Sequence, residues 1–359
     1  MNIVYIAETS LTNKSAYTQH VIKMCDAFCQ LEQDLILYLP RVHKNFNFNE
    51  IKEKYMLRSQ KKFKVKSIIN LKLTNIFFKI YFLLKVIINI KKDRPDIILT
   101  RSFLSSVILS CFKVKHFLEI HSEFQSLTKF LMINLKFIES SYIEKKILIS
   151  ESLNKIFNFK KNEYLVLHDG VDIKNFEKFK NITNIKEVCY VGSFYKGRGI
   201  DLILHLASKF PNLNFHLYGQ SKEEIRPNLK NVKIHNFVDY CNVPYILSNS
   251  DVLLMPYSKN VSVRSKTLNT ADYCSPLKMF DYLAAGKIIM SSKLGGICEI
   301  LKHKENSIIV EEFKHEMWEL ELSNLLKDVY DIKKIQKNAF STANEYTWVK
   351  RANKILKKN

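Results

Sequence analysis

Short apolar runs bounded by turn residues alternate with longer segments of helical spacing along the whole sequence, and the alternation restarts once near the middle. That pattern belongs to βαβ units wound on parallel sheets. The first series predicts strands at Asn2–Ala7, Leu35–Tyr38, Ile97–Thr100, Phe117–Ile120, Lys146–Ile149 and Tyr164–Leu167. A polar break at His168–Asn184, opened by the turn Asp169-Gly170-Val171-Asp172, reads as an interdomain linker. The second series predicts strands at Glu187–Val191, Asn214–Tyr218, Val232–His235, Val252–Pro256, Ile288–Ser291 and Ser307–Val310. Helices are expected at Gly199–Lys209, Val243–Ser248, Pro276–Ala285, Gly296–Leu301 and Lys314–Tyr330. At roughly 150 residues per domain, 359 residues allow two domains. The fold class is α/β, with two Rossmann-like doubly wound domains at residues 1–168 and 169–340 and a terminal helical segment at 341–359. Two such domains imply a cleft, with chemistry in the loops beyond the carboxyl ends of the strands.

Composition removes several function classes. Hydrophobic residues at 47% and charged residues at 25% are those of a folded globule, which excludes wholesale disorder and a polytopic membrane protein. The formal charge of +21 draws the chain toward polyanions such as phosphate, nucleic acid or anionic lipid. Seven scattered cysteines with no Cys-x-x-Cys support neither a disulfide framework nor a zinc site and fit a reducing cytoplasm. The opening Met1–Ala7 reads as a strand rather than a signal peptide. Ile76–Ile90 is interrupted by Lys79 and Lys85 and is too short to span a bilayer.

Two segments carry chemistry. Val191-Gly192-Ser193-Phe194-Tyr195-Lys196-Gly197-Arg198-Gly199-Ile200-Asp201 runs from a strand through a Gly-rich loop into a helix. Its glycines allow close approach of the backbone, while helix-start amides with Lys196 and Arg198 provide the positive field a pyrophosphate needs. The same glycines also fit a plain βα turn. Ser275-Pro276 then marks a helix start, with Ser275 as N-cap, and Gly286 its end. Lys278 and Asp281, three apart, share a face near the positive end of that helix, so a phosphate can rest beside Lys278 while Asp281 accepts hydrogen bonds from a ribose diol. An i,i+3 salt bridge uses the same two residues.

With these motifs in order, the sequence resembles the GT-B glycosyltransferases of the retaining family 4 group. The loop and helix start at Ser15-Ala16-Tyr17, the strand Phe117–His121, the segments Ile149–Leu153 and Leu167–Asp172, the Gly192–Asp201 loop, the Ser275–Gly286 helix and the terminal Trp348–Ala352 all take part. The resemblance implies metal-independent transfer of a sugar from a nucleotide-diphosphate sugar, with retention, and no cofactor. By that analogy Gly192, Ser193, Ser275, Arg198 and Lys278 hold the donor, and the two cations neutralise the diphosphate leaving group. Asp281 holds the ribose, and His121 faces the donor sugar as hydrogen-bond donor or proton handler. One departure stands out. The family commonly carries two acids separated by seven residues, and Tyr273 occupies the first position, with Asp272 out of register and Asp281 in place of the usual Glu. The polar stretch from Ser258 to Cys274, with Arg264, Lys266 and Asp272, reads equally as a mobile loop over the donor sugar and as a plain surface excursion.

The excess charge has an address. Between Lys52 and Lys72 a single acid, Glu53, faces eight bases, and an apolar helix carrying Lys79, Lys85, Lys91 and Lys92 follows. A basic amphipathic element in the acceptor-side domain suits an anionic membrane surface and a glycan or lipid-linked acceptor, as in capsule or lipopolysaccharide synthesis in bacteria, and the same residues equally fit a core helix with a solvated lysine face. Peripheral placement on the inner face of the cytoplasmic membrane follows. No reading motif for nucleic acid accompanies the bases. Two rival readings use the same fold: a sugar-nucleotide epimerase and a non-catalytic anion-binding protein.

Overall fold

The computed structural model describes residues 1–43, 46–73, 75–176, 181–220, 228–260, 269–311 and 314–357. The first series runs β1 (Asn2–Ile6), α1 (Ala16–Gln30), β2 (Asp34–Leu39), α2 (Phe48–Lys54), β3 (Lys64–Ser67), α3 (Ile76–Asp93) and β4 (Ile97–Thr100). It continues with α4 (Phe103–Cys111), β5 (His116–Ile120), α5 (Ser126–Lys129), β6 (Ile143–Leu148), α6 (Glu151–Phe157) and β7 (Tyr164–Val166). The second series runs β8 (Glu187–Val191), α7 (Ile200–Lys209), β9 (Asn214–Tyr218), β10 (Val232–His235), α8 (Val243–Ser248), β11 (Val252–Met255) and α9 (Leu277–Ala285). It closes with β12 (Ile288–Ser292), α10 (Gly295–Cys298), β13 (Ile308–Val310), α11 (His315–Leu326) and α12 (Ile332–Glu345), and α13 (Trp348–Leu356) ends the chain. Every anticipated strand is present, and β3 is an additional one.

Met1–Ile149, Leu153–His168 and Trp348–Asn359 form one unit, and Ser150–Ser152 with Asp169–Thr347 form the other. The first unit holds a seven-stranded sheet in the order β3-β2-β1-β4-β5-β6-β7, the second a six-stranded sheet in the order β10-β9-β8-β11-β12-β13. Each pairing is parallel; Val4 in β1, for example, lies between Ile36 and Ile98. Parallel strands buried on both faces read as continuous apolar runs, which is why the series was legible. In the first unit, Val4 and Ile6 pack on Phe82, Leu83, Val86 and Ile87, one stripe of α3. In the second, one core layer includes Ile203 and Leu206 of α7 with Trp318 of α11, and the other includes Leu283 of α9 with Ala339 of α12.

Three boundaries differ from expectation. Much of the region His168–Asn184 is packed rather than linking: Asp169, Val171, Asp172 and Asn175 are buried in the second unit, and Val171 bridges Thr347. Residues 341–347, expected with the terminal segment, belong to the second unit, because α12 continues through Glu345 on buried Ile335, Ala339 and Ala343. The helix expected at Gly296–Leu301 spans only Gly295–Cys298.

Candidate functional site

Two clusters form at sheet carboxyl ends, one in each unit. In the second unit β8 ends at Val191 and the chain turns at Gly192, whose φ is +152° and whose N–H donates to Tyr218 O at 2.8 Å. A Cβ at Gly192 would overlap Lys278 Nζ, so the missing side chain is what lets the lysine lie against this turn. Gly197 and Gly199 have a different reason: side chains there would strike the backbone of Asn260 and Pro256. Two of the three loop glycines thus accommodate the segment after β11, as a βα turn does.

Lys278 is the second residue of α9. Its Nζ lies 3.9 Å from the Tyr190 ring centre and 5.4 Å from that of Tyr257. The Arg198 guanidinium lies 4.6 Å from the Tyr257 ring. Aromatic faces attract both cations but give no directed hydrogen bond to an ammonium. Lys278 Nζ and Arg198 Nε are buried without a hydrogen-bond partner, and neither side chain pairs with a carboxylate among the described residues. Burial, and then the Arg198 charge, push the Lys278 ammonium well below its usual range. The anticipated salt bridge from Lys278 to Asp281 is not formed.

The start of α9 adds to this field. The N-cap is Pro276 rather than Ser275, with φ −72° and ψ 132°. Proline fits this extended position and offers no hydroxyl, so the cap residue itself supplies no side-chain acceptor to the leading amides of this nine-residue helix. Ser275 itself is buried, and Gly286 ends the helix in the left-handed region at φ +60°, as anticipated. Asp281 is buried and accepts a 3.0 Å hydrogen bond from the Tyr240 hydroxyl, while Ser193 O accepts one from the Tyr190 hydroxyl at 2.8 Å. Tyr282, which the sequence reading missed, receives the Val191 N–H at 3.0 Å and pins the end of β8.

Tyr273, in the place of the family's first acid, is buried at 2% exposure, and its carbonyl accepts from Ser150 Oγ at 2.8 Å. Asp272 is exposed. Arg264 and Lys266 lie outside the described residues.

In the first unit Ser15 caps α1 by accepting from Thr18 N–H, Ala16 is exposed, and the Tyr17 hydroxyl accepts from Glu8 N–H at 3.1 Å. Arg101 stacks 4.7 Å from the Tyr17 ring, and burial pushes the Tyr17 phenol up to about 12. His121 follows β5, edge-on to His20 with ring centres 4.9 Å apart. Its Nε2 is buried with no hydrogen-bond partner among the described residues. Burial, then the Arg101 and His20 charges, hold the imidazole well below its usual range, so it is neutral at pH 7.

Glu119, one step back on β5, was quoted only as part of a motif, yet it organises this cluster. It is fully buried and accepts from Arg351 at 2.6 Å, Tyr5 at 2.6 Å and His20 at 3.3 Å. Burial alone would raise its pKa, but Arg351 and His20 outweigh it and hold the carboxyl well below the usual range. His20, Glu119 and His121 bring possible metal-ligand atoms within 4.8 Å of one another. Both Glu119 oxygens are already engaged by donors within the cluster. Arg351 also donates to His168 O at 3.1 Å, and Trp348 packs edge-on to His20 at 5.3 Å, which ties α13 into the first unit.

Comparison with known proteins agrees with this arrangement. Residues 172–342 match the family described as glycosyl transferases group 1. No curated protein matches the sequence. Among solved structures, a glycosyltransferase from Rickettsia africae ESF-5 superposes with a TM-score of 0.74 at 15% identity, covering 99% of this chain and 96% of that one. Anabaena Alr3699/HepE, solved with UDP and glucose, gives 0.72 at 13% identity over 98% and 97%. WaaG, a glycosyltransferase involved in lipopolysaccharide biosynthesis, gives 0.63 at 11% identity over 98% of each chain. Residues 172–342 of the second unit thus carry the similarity to the group 1 glycosyl transferases, and the two parallel sheets share the GT-B fold of these solved structures.

Proposed function

We propose that the chain transfers a sugar from a nucleotide-diphosphate sugar to a glycan or lipid-linked acceptor, with retention and without an obligatory metal, in the synthesis of a bacterial surface polysaccharide. The observation that carries the donor side is the pair Arg198 and Lys278, two basic side chains with no carboxylate partner among the described residues, whose buried Nε and Nζ lie at the proline-capped start of α9. Such a pair is costly when empty and favourable when an anion arrives. The UDP held by Anabaena Alr3699/HepE supports a nucleoside diphosphate as that anion, and the role of WaaG supports the polysaccharide setting.

In this reading the C1–O bond to the diphosphate breaks, the acceptor hydroxyl oxygen bonds to C1 on the same face, its proton passes to the departing diphosphate, and negative charge gathers on the departing phosphate oxygen. Arg198, Lys278 and the leading amides of α9 meet it, which is the electrostatic share of catalysis. Gly192 and Ser193 lie beside the diphosphate, Ser275 stands before the helix, and Asp281, positioned by Tyr240, takes the ribose diol. His121 is assigned the donor sugar; its neutral Nε2 serves as hydrogen-bond donor or proton handler. Asp272 and Arg264 remain assigned to the donor-sugar loop. Ser15, Ala16 and Tyr17 form the acceptor-side loop.

Buried Tyr273, where the family places an acid, favours one rival, an anion-binding protein that has lost turnover. A panel of nucleotide diphosphates and their sugars, read by thermal shift, tests the donor site. Acceptor-dependent release of the nucleotide then separates a transferase from an epimerase and from a binding protein.

A further inference from the structure

Three side chains stand together past the carboxyl ends of adjacent strands in the first unit. Thr100 closes β4, which lies between β1 and β5, and is level with Ile6 on one side and Leu118 on the other. Arg101 is the residue after β4, His121 is the residue after β5, and Tyr17 is the second residue of α1, the helix that follows the β1 loop. All three side chains keep part of their surface accessible, so the group is not sealed in the core.

The Arg101 guanidinium lies 4.7 Å from the Tyr17 ring centre. An aromatic face engages only the flat side of a guanidinium, and the N–H groups, which point outward in its plane, still need acceptors. Arg101 Nη1 is buried with no hydrogen-bond partner, and so is His121 Nε2. The Arg101 charge bears on the His121 imidazole more strongly than that of His20 does, although the two histidine rings are 4.9 Å apart, which sets the guanidinium close to the imidazole. Two carboxylates act on this group, and both are committed elsewhere. Glu8, which acts on Tyr17, accepts from the Ser102 and Ser105 hydroxyls and pairs with Lys79 at 3.2 Å. Glu119, which acts on His121, is held by Arg351, His20 and Tyr5. Neither answers Arg101 Nη1. A guanidinium N–H left buried and unpaired costs stability, and a ligand that supplies an acceptor removes that cost.

We propose that Arg101, held on the Tyr17 ring with His121 beside it, is an anion site that selects an acidic sugar, one bearing a carboxylate or a phosphate ester. The planar guanidinium matches two oxygens of such a group with parallel N–H donors, and His121 Nε2 donates beside it. A neutral sugar offers hydroxyls alone, which leave the charge unanswered. The site deepens the proposed function by naming the chemical class of the sugar that meets His121. That role rests on the transferase reading, whereas the binding of an acidic sugar at Arg101 does not. The acidic group belongs either to the transferred sugar or to the acceptor, and the two differ in the outcome of one experiment.

The test is a set of thermal-shift titrations of the full chain with UDP, UDP-glucose and UDP-glucuronate, and with glucose, glucuronate and glucose 6-phosphate in the presence and absence of UDP. Wild type prefers an acidic probe to its neutral counterpart by about tenfold or more, and Arg101→Gln removes that preference. Arg101→Lys keeps the charge without the fork and retains a part of it, which keeps the result readable where Arg101→Gln folds poorly. A preference for UDP-glucuronate over UDP-glucose puts the acidic group on the transferred sugar. A preference confined to glucuronate or glucose 6-phosphate over glucose puts it on the acceptor. Stabilisation of wild type, and not of Arg101→Gln, by these acidic sugars when no UDP compound binds upholds the anion site and defeats the transferase reading. Equal affinity of wild type for acidic and neutral probes, or a preference that Arg101→Gln preserves, overturns the inference, and binding of UDP in that same experiment leaves the transferase reading standing.

Discussion

The two buried polar clusters of this protein are built on opposite principles. In the first unit the buried Glu119 carboxylate is answered: Arg351 and His20 pair with it, and Tyr5 donates to it. Around Lys278 in the second unit two cations share aromatic faces, and no acid pairs with either among the described residues. Both clusters carry desolvation costs, so the difference lies in what offsets them. A balanced cluster fastens α1, β5 and α13 together, whereas an unbalanced one is, on the proposed function, held for an anion that comes from solution.

The largest expected effect comes from breaking the balanced side. Glu119→Gln leaves Arg351 buried without its counter-charge and should destabilise the first unit by about 3–5 kcal/mol, read as an earlier transition in thermal or urea unfolding. The pH dependence has a definite sign. The folded Glu119 pKa is depressed below its ordinary value near 4.5, so its contribution is present above that pH. It is lost as pH falls through the depressed value, and Glu119→Gln should flatten this part of the acid limb.

The unbalanced side should answer in binding rather than folding. Lys278→Met removes a buried amino group whose Nζ has no hydrogen-bond partner, so the unliganded protein should be as stable or more so. Affinity for a nucleoside diphosphate should fall by about 10–100-fold, from loss of charge-assisted contacts worth about 1.5–3 kcal/mol. Because Lys278 is depressed when the site is empty, binding should take up a proton. Affinity should decline as pH rises through the free-state pKa of the lysine, which calorimetry in buffers of different ionisation enthalpy measures.

Gly192→Ala sharpens the same contrast at smaller scale. The new methyl meets Lys278 Nζ at a φ of +152°, so a loss of about 1–3 kcal/mol is expected from strain at that turn, with the lysine displaced from its place between the rings. The smallest effect is that of Tyr240→Phe, which removes the hydrogen bond to Asp281. It should cost about 1 kcal/mol in stability and weaken ribose-containing ligands more than inorganic pyrophosphate.

The sequence carried this picture unevenly, for physical reasons. Fully buried parallel strands such as Val252–Met255 announce themselves as apolar runs. The edge strand Lys64–Ser67 does not, because its side chains are mostly solvated and only Val65 is apolar. The Gly192 turn and the Lys278 helix were legible because glycine, proline and lysine at those spacings have local causes. The Glu119–Arg351 pair spans 232 residues, and no local pattern encodes it. The available signal was an acid inside the otherwise apolar run Phe117-Leu118-Glu119-Ile120, which demands a buried partner somewhere. Tyr190, Tyr257 and Tyr282 look like core residues by pattern, and only the fold turns their rings and hydroxyls toward the cation pair and the end of β8.

The central claim is that the cation pair exists for a ligand and the carboxylate hub exists for the fold. Melting temperatures of wild type, Lys278→Met and Glu119→Gln, each with and without a saturating nucleoside diphosphate, test it most directly. The account predicts a ligand-induced rise in wild type and in Glu119→Gln, and none in Lys278→Met, whose unliganded melting temperature does not fall. An equal ligand-induced rise in all three, or a collapse of unliganded Lys278→Met to the level of Glu119→Gln, would contradict it.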